Sequence, residues 1–147
     1  MTKLWMVTLL GSLLCAGLSH ASITMAEGGA VTAEPARPAA RPGEIYLPSA
    51  DPMAELAAKL ASAKATNKRL LVVLGANWCH DSRALATRLF TEPLRTDIEA
   101  HYVTLFVDVG YLDKGQEVIA SLGVPVYYAT PTVLIVDPVS GLVVNAH

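Results

Sequence analysis

The stretch Leu70-Leu71-Val72-Val73-Leu74-Gly75-Ala76-Asn77-Trp78-Cys79-His80-Asp81-Ser82 decides the fold. Leu70–Leu74 is an unbroken run of large and β-branched residues, the pattern of a strand buried on both faces. It passes through Gly75–Trp78 into Cys79. After Cys79 a helical period returns at Ala84, Leu85, Arg88 and Leu89, which predicts a helix over 79–90. The polar residues Cys79, His80, Asp81 and Ser82 thus sit where a strand hands over to a helix. In α/β sheets, ligand and catalytic sites gather beyond the carboxyl ends of the strands.

The flanks repeat the alternation. Upstream, Asp51-Pro52 supplies an N-cap followed by proline at the first helical position. Met53, Leu56, Ala57, Leu60 and Ala61 follow at helical spacing, and Asn67-Lys68-Arg69 ends that helix. Downstream, Pro93 interrupts the helical region, Ile98–Tyr102 closes it, and Val103–Val107 reads as a second buried strand. Gly110 breaks that strand, Lys114–Leu122 forms a short helix, and Gly123 stops it. Thr132–Val136 is a third strand, and Pro138–Gly141 turns into Leu142–Val144, which predicts a terminal antiparallel hairpin. Strands alternating with helices give an α/β fold whose mixed sheet carries parallel pairs with right-handed crossovers, flanked by helices.

Composition sets limits. A chain of 147 residues, 52% hydrophobic and 16% charged, fits one domain and is too apolar for wholesale disorder. Eleven basic against thirteen acidic residues leave no basic stripe, so nucleic-acid binding lacks electrostatic support.

The N-terminus departs from the rest. Met1-Thr2-Lys3 gives a positive start, Leu4–Leu18 an apolar run, and Ser19-His20-Ala21 a small-x-small ending. That triad reads as a cleaved signal peptide over 1–21, with a periplasmic or secreted protein and no membrane attachment afterwards. The other reading is a retained anchor, but a run of about fifteen residues spans too little of a hydrocarbon core about 30 Å thick. Residues 22–50, with Pro35, Pro38, Pro42 and Pro48, read as a Pro/Ala-rich linker in which Ile45-Tyr46-Leu47 forms a short strand. The domain then occupies 51–147.

Cleavage removes Cys15 and leaves Cys79 as the one cysteine, so no internal disulfide forms. Two readings of Cys79 stand, a reactive thiol or a buried inert one. A helix start favours the thiolate through unpaired backbone donors and the macrodipole. Ser82, three residues on, offers a hydroxyl to the sulfur. Asp81 works in the opposite sense, and His80 helps only when protonated. Cys79 with His80 is a two-ligand set with no third ligand near in sequence, so neither a metal nor a cofactor is expected. Asp108 reads as a turn cap, His101 as an exposed junction residue, and Lys64, Lys68 and Arg69 as a solvated helix end. Tyr127-Tyr128 either lines a groove or packs in the core.

Gly-Ala-Asn-Trp-Cys-His-Asp-Ser at 75–82, followed by Ala-Thr-Pro-Thr-Val-Leu-Ile-Val-Asp at 129–137, resembles the thioredoxin family over residues 51–147. The resemblance implies a thioredoxin fold with Cys79 as the attacking cysteine and Trp78 as its aromatic neighbour. It also implies a cis peptide at Thr130-Pro131, with Trp78, Thr130 and Pro131 lining the substrate groove beside the sulfur. His80 and Asp81 occupy the two positions inside the motif. Three departures accompany it. Ser82 replaces the resolving cysteine, Val73 stands where many members carry a buried aspartate, and the chain stops at His147 before the family's last helix. That missing helix reads either as an incomplete sequence or as a face covered by something else, such as self-association.

The implied activity is monothiol thiol–disulfide exchange at Cys79 and Ser82, on protein or small-molecule disulfides, with an external thiol as reductant. The alternative is a binding module that uses the Trp78/Pro131 groove without turnover.

Overall fold

The computed structural model describes residues 43–127 and 129–145. The stretch read as a signal peptide over 1–21, with Cys15, residues 22–42 of the expected linker, Tyr128 and residues 146–147 lie outside the described residues. Among the described residues no helix is long and apolar enough to cross a membrane.

Helix α1 (Pro52–Ala65) starts as its sequence demands: the Asp51 side chain accepts the Ala54 amide at 2.9 Å, and Pro52 occupies the first turn. Strand β1 (Arg69–Gly75) follows, and every residue from Leu70 to Gly75 is buried. Helices α2 (His80–Leu89) and α3 (Leu94–His101) then cross over to strand β2 (Tyr102–Asp108), which pairs parallel with β1 from Arg69↔Tyr102 to Gly75↔Asp108. Helix α4 (Gln116–Ser121) precedes strand β3 (Thr132–Val136), antiparallel to β1 from Leu70↔Val136 to Leu74↔Thr132. The sheet order is β2-β1-β3.

Alternation along β1 splits the core. Leu70, Val72 and Leu74 join Leu56, Ala63, Leu105, Val107, Val118, Ile119, Leu134 and Val136 on the face covered by α1 and α4. Leu71 and Val73 point the other way, to Tyr46, Ala86, Leu89 and Phe106. Burial on both faces is why β1 reads as a continuous apolar run rather than an alternating one.

Three expectations are corrected. Tyr102 begins β2 instead of ending a helix. Leu142–Val144 turns back antiparallel to β3 as expected but forms no continuous strand, and Leu142 and Val144 are exposed. The pairing is the bridge Val136↔Val143, with the Asp137 amide donating to the Leu142 carbonyl at 3.0 Å and the Val144 amide to the Ile135 carbonyl at 2.8 Å. Ile45-Tyr46-Leu47 is no strand either. The Ile45 and Tyr46 amides donate to the Asn77 side chain at 3.0 and 3.1 Å, and Tyr46 is fully buried, so packing begins before Asp51. Local pattern misreads this segment because its partner is one side chain some thirty residues away and not a strand edge. The remaining sequence readings behave simply. Asp108 accepts the Gly110 amide at 3.2 Å, as a turn cap does, and also lies 3.8 Å from Lys114. His101 is exposed, whereas Tyr127 is a core residue whose hydroxyl donates to the Lys114 carbonyl at 2.8 Å.

Candidate functional site around Cys79

The end of β1 turns through Ala76–Trp78, where the Cys79 amide donates to the Ala76 carbonyl at 3.1 Å, and Cys79 becomes the N-cap of α2. The sulfur is therefore presented at the helix start rather than inside the first turn. Across from it lies the loop before β3, whose Thr130-Pro131 peptide is cis. The Cys79 thiol donates to the Thr130 carbonyl at 3.4 Å, joining residues 51 positions apart. The Ser82 hydroxyl lies 2.8 Å from the Thr130 hydroxyl, and Ser82 is fully buried. Cys79, Ser82 and Thr130 thus converge, with Pro131 alongside.

These neighbours set the thiol's acidity. Hydrogen bonding from the Ser82 hydroxyl, aided by the backbone amides of Ser82 and Asp81, holds the Cys79 pKa below that of an ordinary thiol. Partial burial and the Asp81 carboxylate oppose it without prevailing. Thr130 lies between donor roles: when its hydroxyl donates to Ser82 Oγ, the Ser82 proton is left for the sulfur.

Trp78 is half exposed. Its indole N–H donates to the Gly110 carbonyl at 2.6 Å, and its ring stacks on Tyr111 with centroids 5.8 Å apart and planes 5° from parallel. This pair borders a cavity of about 290 Å³ that also touches Asn77, Asp108 and Asp113. His80 and Asp81 project into solvent and meet each other at 3.3 Å. They are not part of the converging set. Among the described residues no three His, Cys, Asp or Glu side chains are arranged to hold a metal ion.

Two site residues escape motif reading. Asn77 accepts from Ile45 and Tyr46 and donates back to the Tyr46 carbonyl at 2.7 Å, while its own carbonyl takes the Arg83 guanidinium at 2.9 Å. Tyr46 donates its hydroxyl to the Ser82 carbonyl at 3.1 Å. The one sequence signal is Gly75: a glycine at a strand end marks close approach of another group, here the Tyr46 ring.

A mixed sheet with a strand–Cys–helix junction facing a Thr–cis-Pro loop is the architecture of thioredoxin-fold proteins. The comparisons agree. A family model described as thioredoxin-like matches residues 51–138, and the chain belongs to that family. The crystal structure of a disulphide isomerase from Xylella fastidiosa Temecula1 is similar, at 35% identity over 67% of this chain and 74% of that one, with a TM-score of 0.61. No curated protein matches the chain by sequence.

Proposed function

We propose that this chain carries out thiol–disulfide exchange through Cys79 as a single working thiol. The observation that supports it is the Cys79 sulfur at the start of α2, 3.4 Å from the Thr130 carbonyl and beside a hydroxyl that lowers its pKa. Kinship with a disulphide isomerase, at 35% identity, points the same way.

The step is a displacement. The Cys79 thiolate attacks one sulfur of a substrate disulfide along the S–S axis, a Cys79–substrate disulfide forms, and the other substrate sulfur leaves as a thiolate that takes a proton from water. Ser82 has no thiol, so an external thiol must attack the mixed disulfide. That attack returns Cys79 as thiolate and leaves the substrate bonded to the external thiol or, after a second exchange, reduced. Trp78, Thr130 and Pro131 form the groove in which an extended disulfide-bearing segment lies. The protein works after export to the periplasm, where substrate disulfides persist.

Substitution of the resolving position by a buried serine also favours a second reading, a binding module that holds thiol or disulfide proteins without turnover. One experiment separates the two. The purified protein is incubated with periplasmic extract, quenched with acid, and its disulfide-linked partners are released by reductant and identified. Exchange chemistry gives partners that vanish with Cys79→Ala. Recovery of the same partners by that variant supports the binding module.

A further inference from the structure

Tyr46 lies outside the residues that match the family model, yet it is built into the redox site. Its side chain is fully buried, edge-on to Phe106 at 5.5 Å between centroids. The ring occupies space that only glycine leaves free at position 75: a Cβ there would stand 2.6 Å from the Tyr46 hydroxyl oxygen. Asn77 clamps the Tyr46 backbone from both sides, accepting its amide at 3.1 Å and donating to its carbonyl at 2.7 Å. A phenylalanine would fill the same volume. What tyrosine adds is a hydroxyl, and that hydroxyl donates to the Ser82 carbonyl at 3.1 Å.

We propose that Tyr46 is a positioning residue for Cys79, fixing the Ser82 peptide so that the Ser82 hydroxyl is aimed at the sulfur. The proposal rests on the reading of Cys79 as the exchange thiol. Ser82 is held at two points, its carbonyl by Tyr46 and its hydroxyl by Thr130, so little rotational freedom remains for the group that stabilises the thiolate. With the carbonyl released, the first turn of α2 relaxes and the hydroxyl spends less time on the sulfur. The charged and titratable groups acting on Cys79 are few. Asp81 raises its pKa, and the phenol of Tyr46 is close enough for the two charges to repel. His80 pairs with Asp81 at the surface, and the Arg83 guanidinium is engaged by the Asn77 carbonyl. The loop at 129–131 brings no charge.

The test is the pH profile of iodoacetamide alkylation at Cys79. The parent should show a midpoint below the ordinary thiol range. Tyr46→Phe should move that midpoint up by about half a unit, a roughly threefold loss of thiolate at neutral pH, while the alkaline plateau stays unchanged. A merely structural role would alter thermal stability and leave the midpoint in place, and that result overturns the proposal. An ordinary midpoint in the parent itself would instead overturn the reading of Cys79. Should Tyr46→Phe fail to fold, Asn77→Ala decides. It removes the side chain that holds the Tyr46 backbone and leaves the phenol in the chain, so the alkylation midpoint of Cys79 should rise in the same direction. An unchanged midpoint in that variant would overturn the proposal equally.

Discussion

At the Cys79 sulfur two oxygen atoms pull in opposite directions. The Thr130 carbonyl accepts the thiol proton and favours the neutral form, whereas the Ser82 hydroxyl donates and favours the thiolate. The net direction is towards thiolate, so Ser82→Ala should raise the alkylation midpoint of Cys79, and an unchanged midpoint would remove Ser82 from the account. Ser82→Cys asks a different question. Ser82 follows Cys79 by three residues on the first turn of α2, where such side chains are neighbours. The variant should form an internal disulfide under mild oxidation, lose both free thiols in a thiol count, and reduce a disulfide substrate faster than the parent when supplied with a regenerating thiol. The new thiol replaces a buried hydroxyl bonded to Thr130, so some stability is lost, about 1 kcal/mol by the usual worth of one hydrogen bond. Val73, buried in the core below, brings no carboxylate to assist proton transfer.

The elements differ in how openly their sequences announce them. Helix α1 is legible from its cap alone, because Asp51-Pro52 makes its bonds within four residues. Asp51→Ala should therefore lower stability by about 1 kcal/mol, read as a shift of the denaturation midpoint at constant m-value. Strand β1 is legible because both its faces are buried, and the Cys79 junction because strand, motif and helix are contiguous. The Thr130-Pro131 loop was legible only through family resemblance, since nothing local says that it meets a sulfur 51 residues upstream. Leu142–Val144 shows the opposite error. Its apolar residues match a strand pattern, but two of the three face solvent, and beyond the Val136↔Val143 bridge it is the Asn145 side chain, bonded to the Ile135 amide and the Val133 carbonyl, that ties the segment to β3. The short segment around Tyr46 is misread for a related reason. Its hydrogen bonds go to Asn77, Ser82 and no strand, and proline-rich surroundings conceal a fully buried ring.

For the molecule as a whole, the consequence is that the folding unit is larger than the residues that match the family. Tyr46 completes the core on the α2 face together with Leu71, Val73, Ala86, Leu89 and Phe106. A chain beginning at residue 51 would leave a vacancy over Gly75 and release Asn77, whereas a chain beginning at residue 43 keeps both. The shorter one should be less stable by about 3–5 kcal/mol, the usual cost of removing a buried aromatic side chain. Equal denaturation midpoints for the two would show that the segment is dispensable. The same ring contributes to the alkaline dependence of stability. Burial, its main cause, pushes the Tyr46 pKa up to about 12 from an ordinary 10.0. The folded state thus resists ionisation that the unfolded chain accepts, so this part of the stability is intact below pH 10 and is lost as pH rises towards 12. Tyr127, also raised by burial, adds to the loss in the same direction. Tyr46→Phe has no phenol to ionise, so its stability should fall less steeply through that window than the parent's, leaving the Tyr127 contribution. Parallel alkaline limbs for parent and variant would mean that the Tyr46 phenol reaches water in the folded protein, and the clamp by Asn77 and Ser82 would then have to be looser than its geometry.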